Sequence, residues 1–149
     1  MKNKINSFIF FPIIFRDVSG MFKRVRHAGT TDLEAFKKYL LYGNPGIGGS
    51  NFIIKKEDFF RVGGYDEKLA SSEDRDIVLR LIKNGITPKD LKQGFAIGNI
   101  QPKSLSRTNI WNGQIAFYLK HKELYSPLDI LRVFIRIIKI SLIQVFRFR

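Results

Sequence analysis

Between Gly43 and Gly85, glycines cut the chain into pieces too short for anything but small strands and helices. Gly43-Asn44-Pro45-Gly46 ends whatever helix precedes it, and Gly63-Gly64 and Gly85 supply two further stops. Each piece between the stops has its own period. Residues 52–54 (Phe52, Ile53, Ile54) read as a short buried strand, and residues 57–62 as one or two helical turns. Residues 74–84 place Ile77, Val78, Leu81 and Ile82 on one face of a helix, with Gly85 as its C-cap. Strand and helix alternate, which is the pattern of an α/β fold.

The flanks extend that reading. Residues 7–15 (SFIFFPIIF) are nine uncharged residues, about half of what a helix needs to cross a bilayer. Small residues suited to a signal cleavage site are scarce there, so the run reads as a strand broken at Pro12. Residues 16–30 form a basic, irregular connection. Residues 31–41 predict a helix, with Thr31 and Glu34 as a capping box and Leu33, Phe36 and Leu40 at helical spacing. Residues 95–100 alternate like a strand. Thr108 starts a further helix whose apolar face is Trp111, Ile115, Tyr118 and Leu119, with Trp111 expected in the core.

Composition narrows the function. The chain has 149 residues, which suits one domain or part of a larger one. With no cysteine, disulfide scaffolds, zinc ribbons and thiol nucleophiles are excluded. The two histidines, His27 and His121, leave little for a histidine-rich metal site and read as solvated residues. The net charge of +13 calls for an anionic partner. It is concentrated late: residues 91–149 carry 10 Lys/Arg against only Glu123 and Asp129. Residues 127–149 are apolar nearly all round, with Arg132, Arg136 and Lys139 on one stripe. That pattern suits an amphipathic basic helix at an anionic membrane surface; a helix packed on a partner domain through the same apolar face is the bland alternative. A nucleic-acid binder is favoured by charge alone, since no recognised module is present.

Residues 43–85 read GNPGIGGSNFIIKKEDFFRVGGYDEKLASSEDRDIVLRLIKNG. A Gly-Gly-Ser-Asn turn leads into an apolar strand, then KKEDFFRV, then GGYDE. Glu73-Asp74 next opens a helix that closes at Gly85. In this order the stretch resembles the acceptor-side half of the catalytic domain of family 2 glycosyltransferases, inverting enzymes of the glycosyltransferase A fold. The resemblance implies a partial fold of that type at residues 1–125, a short mixed sheet with flanking helices around the core 43–85, followed by the basic amphipathic helix at 126–149. It implies transfer of a sugar from a nucleotide sugar to an acceptor hydroxyl, in cell-surface polysaccharide or glycan synthesis. The base would be Asp74, the second member of the family's Glu-Asp pair, and Gly49, Ser50, Asn51 and Glu73 would bind the acceptor. The bland alternative is that Glu73, Asp74 and Asp76 only favour the positive end of a helix dipole.

Two lookalikes are set aside. Asp74-Arg75-Asp76 spells an Asp-x-Asp metal motif, but the family carries that motif at the end of an earlier strand, whereas this one begins a helix. Gly46 to Ser50 resembles a phosphate loop, but no Gly-Lys-Ser/Thr follows; its glycines suit a tight turn and close approach of a sugar. The family's divalent metal (Mg or Mn) therefore has no ligands evident in this chain. Only 42 residues precede Gly43 and they hold no Asp-x-Asp, Asp17 standing alone. Where the family often has a histidine, Asn99 and Gln101 stand instead, and the Gln-x-x-Arg-Trp of processive synthases is absent. The expectation is a truncated enzyme whose donor-binding half comes from elsewhere, such as a partner chain, at the cytoplasmic face of a membrane. A non-catalytic, membrane-associated remnant or interaction module is the rival reading.

Overall fold

Pro12 decides how the first apolar run is used. In the computed structural model, which describes residues 6–16, 19–24, 32–99 and 110–147, the run forms β1 (Ser7–Phe10) and β2 (Ile13–Arg16). Proline has no N–H for the ladder, so pairing is interrupted between them. Each half becomes the centre of a three-stranded mixed sheet. Antiparallel β4 (Phe52–Ile53) and parallel β5 (Thr87–Asp90) flank β1, in registers Ile9↔Ile53 and Ser7↔Thr87. Antiparallel β3 (Phe22–Arg24) and parallel β6 (Ala96–Asn99) flank β2, in registers Phe15↔Lys23 and Ile13↔Ala96. The break is bridged by Leu91 N–H donating to the Phe10 carbonyl at 2.7 Å and Ala96 N–H to the Pro12 carbonyl at 3.0 Å.

The expected short mixed sheet with flanking helices is thus present, as two ladders along one interrupted strand. Two strands depart from expectation. The connection expected to be irregular contains β3, and β5 was not anticipated because Thr87-Pro88-Lys89-Asp90 has no strand pattern. Both are edge strands whose order comes from their partner, and an edge tolerates Pro88.

Three helices close the core. Helix α1 (Leu33–Tyr42) is capped by Asp32, whose carboxylate accepts from Glu34 N–H at 2.8 Å and Ala35 N–H at 3.2 Å. The cap is one residue later than the expected Thr31, which lies outside the described residues. Helix α2 (Lys56–Arg61) is short and runs into Gly63 and Gly64, both with positive φ. Helix α3 (Glu73–Lys83) ends at Asn84, and Gly85 follows in the left-handed region at φ 74°. Phe8, Phe10, Phe36, Leu40, Ile77 and Leu81 are the centre of the packed interior.

Helix α4 (Ile110–His121) presents a different face from the expected one. Gly113, Phe117 and His121 face inward, while Ile115 is 50% and Leu119 60% exposed. Trp111, expected in the core, is 38% exposed. Small size decides this: a Cβ on Gly113 would fall against the Ser71 hydroxyl and 2.8 Å from its carbonyl, so only glycine permits this approach. Thr108 and His27 lie outside the described residues. After a 3₁₀ turn at Lys122–Leu124, helix α5 (Pro127–Arg147) packs its first turns on α1. Asp129 and Val133 are buried there. Arg136 donates to the Tyr42 carbonyl at 2.6 Å, and the Arg132 guanidinium lies 5.4 Å from the Tyr42 ring. The arginines of the expected membrane-facing stripe therefore turn toward the domain. Leu128, Leu131, Phe134, Ile135 and Ile138 are exposed instead. Among the described residues no helix is long and apolar enough to cross a membrane.

Candidate active site

Two asparagines shape the loop after α1. The Asn44 carboxamide oxygen accepts from Gly46 and Ile47 N–H, both at 2.8 Å, and its Nδ2 donates back to the Ile47 carbonyl at 2.8 Å. Asn51 closes the far end: its Oδ1 accepts from Gly48 N–H at 2.7 Å, and its Nδ2 donates to the Gly46 and Phe11 carbonyls. Asn51 is fully buried, so it is a staple between the loop and the β1–β2 junction, not an acceptor contact. Gly49 and Ser50 stand exposed at the crest of the loop. Opposite them is Tyr65, whose hydroxyl would lie 3.8 Å from a Cβ on Gly49.

Asp74 comes to this loop from the head of α3. The residue before the Glu-Asp pair, Ser72, is in the left-handed region at φ 70°, alone among the described non-glycine residues. A non-glycine residue there costs on the order of 1 kcal/mol, and such strain gathers at functional sites. Asp74 Oδ2 accepts from Asn44 Nδ2 at 2.9 Å, and its Oδ1 from Arg75 N–H at 2.7 Å. Burial, then the neighbouring Glu73 carboxylate, push its carboxyl up to about 6 from an ordinary 3.8; the Arg75 N–H, the Arg75 guanidinium and Asn44 work against them. Burial and then the charges of Asp74 and Glu73 also push the Tyr65 hydroxyl up, so the ring and both acids share one electrostatic neighbourhood. The sequence contained Tyr65 within GGYDE, but nothing in the motif alone gave it a role.

Asp76 looks the other way. It is fully buried, and its carboxylate takes Arg80 Nη2 at 2.6 Å, Lys120 Nζ at 2.9 Å and His121 Nε2 at 2.8 Å. An ionised carboxylate only accepts, so the His121 Nε2–H donates. Burial opposes its charge, yet the hydrogen bonds from His121, Arg80 and Lys120 hold the carboxyl well below the usual range. His121, expected to be solvated, is 2% exposed, because this carboxylate offers its ring a partner inside. Between the two acids, Arg75 is buried and donates to the Leu40 and Leu41 carbonyls at the end of α1 and to Gln114 Oε1. Its guanidinium lies 4.1 Å from the Phe117 ring centre. Asp74 and Asp76 do not converge, so Asp74-Arg75-Asp76 does not form a metal clamp. Asn99, at the place of the family's histidine, accepts from Arg16 Nε at 3.2 Å; Gln101 lies outside the described residues.

The loop, the Glu-Asp pair at a helix head and the short mixed sheet behind them form an α/β arrangement consistent with a partial glycosyltransferase A fold. Residues 13–93 match the family model described as glycosyltransferase like family 2. That is more than half of the chain, and the chain belongs to this family. The match starts at β2, well upstream of the motif core 43–85, and ends between β5 and β6. A comparison with curated proteins found no match. Membership carries transferase chemistry, with a nucleotide-sugar donor and an acceptor as substrates. Enzymes of the family often use a divalent metal, but among the described residues no three acidic or histidine side chains converge to hold one.

Proposed function

We propose that this chain is an inverting glycosyltransferase that moves a sugar from a nucleotide sugar to an acceptor hydroxyl, in cell-surface polysaccharide or glycan synthesis. The observation that carries this reading is the Asp74 carboxylate, held at the head of α3 behind the Gly49–Ser50 crest and raised to about 6. A base near the operating pH is ionised enough to accept a proton and basic enough to want it. Asp74 takes the acceptor hydroxyl proton as that oxygen bonds to the anomeric carbon. The bond to the nucleoside diphosphate breaks with its electron pair, and attack from the opposite face inverts the centre. Glu73 and the backbone of Gly49 and Ser50 line the acceptor side, Tyr65 adds an aromatic wall, and Asn51 acts only by fixing the loop. Comparing Asp74→Asn with Glu73→Gln in a transfer assay tests this. Turnover should fall about 10²–10⁴-fold in the first and far less in the second.

A second reading concerns location, and the exposed apolar face of α5 favours it. Leu131, Phe134 and Ile138 lie on the side of α5 away from α1, in the half of the chain that carries the excess of positive charge. We infer that this face rests on an anionic membrane surface at the cytoplasmic side, with basic residues such as Lys139 at its flank.

A further inference from the structure

A helix stop needs only a turn such as the one at Gly46, whose φ is 92°, but the Asn44 side chain does more. Two N–H groups fix its oxygen, those of Gly46 and Ile47, so its amide group must point the other way. There it donates to Ile47 O within the loop and to Asp74 Oδ2, thirty residues along the chain, at 2.9 Å. The reverse orientation would set a carboxamide oxygen against a carboxylate and lose both turn bonds, which fixes the amide assignment.

From the side of Asp74, the charged or titratable groups in play are Glu73 on its own helix, the Arg75 guanidinium and the Tyr65 hydroxyl. Glu73 disfavours the carboxylate. Arg75 favours it through space, but its guanidinium is committed to the α1 carbonyls and Gln114. Among the described residues, Asn44 is the side chain that hydrogen-bonds the carboxylate directly.

We propose that Asn44 is a positioning residue for Asp74: it pins one carboxylate oxygen, holds the group ionised, and ties the end of α1 to the head of α3. Its meaning for catalysis rests on Asp74 being the base, but the coupling itself is measurable without turnover. Carboxyl ¹³C NMR titration of Asp74 in the full chain, assigned with Asp74→Asn, reads it directly. Asn44→Ser keeps an acceptor for the turn but is too short to reach Asp74. Asn44→Asp keeps the turn acceptor and sets a second carboxylate against the first.

In Asn44→Ser the Asp74 midpoint should rise by about one to two units, the scale of a lost hydrogen bond to a charged group. In Asn44→Asp the pair should titrate in two steps, the upper above the wild-type midpoint. An unchanged Asp74 midpoint in a folded Asn44→Ser protein overturns the proposal. So does loss of fold by circular dichroism in both variants, since that assigns Asn44 to the turn alone. Full transfer activity in Asp74→Asn would instead overturn the proposed function, and a midpoint still sensitive to Asn44 would leave this coupling standing.

Discussion

Asp76 sits fully buried with Arg80, Lys120 and His121 gathered on its carboxylate, and Asp74, two residues earlier, sits half-buried against Asn44 with Glu73 beside it. The two therefore respond to pH in opposite senses. Asp76 is held below its ordinary 3.8, so its contribution to stability is complete above about pH 4 and is lost as the pH falls below it. Asp76→Asn leaves the partly exposed Arg80 and Lys120 without their buried counter-charge and should cost about 2 kcal/mol at pH 7, less than for a fully buried pair. Urea unfolding reads this, and an unchanged midpoint would contradict it. Asp74 is raised from 3.8 to about 6, so its ionisation favours the unfolded chain, and stability is lost as the pH rises between those values. Asp74→Asn should raise the melting temperature above pH 6 and leave it unchanged below about pH 4. The gain is at most about 3 kcal/mol, and less where solvent reaches the carboxyl. A variant no more stable at pH 8 than the wild type would show that the carboxylate is not strained by its surroundings.

At the scale of elements, Gly113 makes the clearest claim. Glycine inside a helix usually costs about 1 kcal/mol relative to alanine, so Gly113→Ala on an exposed face would stabilise. Here the added methyl meets Ser71, and overpacking of about 1–3 kcal/mol should outweigh that gain. A urea midpoint that rises in Gly113→Ala would refute the close approach of α4 to the residues before α3. The same helix shows what sequence could and could not convey. The break at Pro12, the stop at Gly85 and the apolar face of α3 were legible because each is written in adjacent residues. The buried side of α4 was not, because glycine and histidine carry no apolar signal and their partners, Ser71 and Asp76, lie far away in the chain. Strands β3 and β5 were hidden for the same reason, being ordered by β2 and β1. In the site, the placement of Glu73-Asp74 at the head of a helix was legible through the motif, whereas the inward turn of Asn51 and the bond from Asn44 depend on how the loop folds.

For the whole molecule, the packing of α5 changes how its proposed membrane contact is to be tested. Deleting α5 would also remove Asp129, Val133 and the Arg136 bond to Tyr42, so loss of fold would mimic loss of binding. The double variant Phe134→Ser/Ile138→Ser changes only the exposed face, where the residues are 64% and 47% exposed. It should keep its melting temperature within about 1 kcal/mol of stability, as exposed substitutions do, and lose most of its flotation with anionic liposomes. Unchanged flotation would place the contact elsewhere. The proposed chemistry needs the assembled site, loop and α3 together, and its most direct test is the pH dependence of transfer in the full chain. The substrate is whichever of the uridine, guanosine and thymidine diphosphate sugars it turns over with manganese present. The kcat/KM of the wild type should fall on the acid side of about pH 6, where Asp74 takes up its proton, and folded Asp74→Asn should be about 10²–10⁴-fold slower with no such limb. Full activity in folded Asp74→Asn, or an acid limb that survives the substitution, would contradict Asp74 as the base.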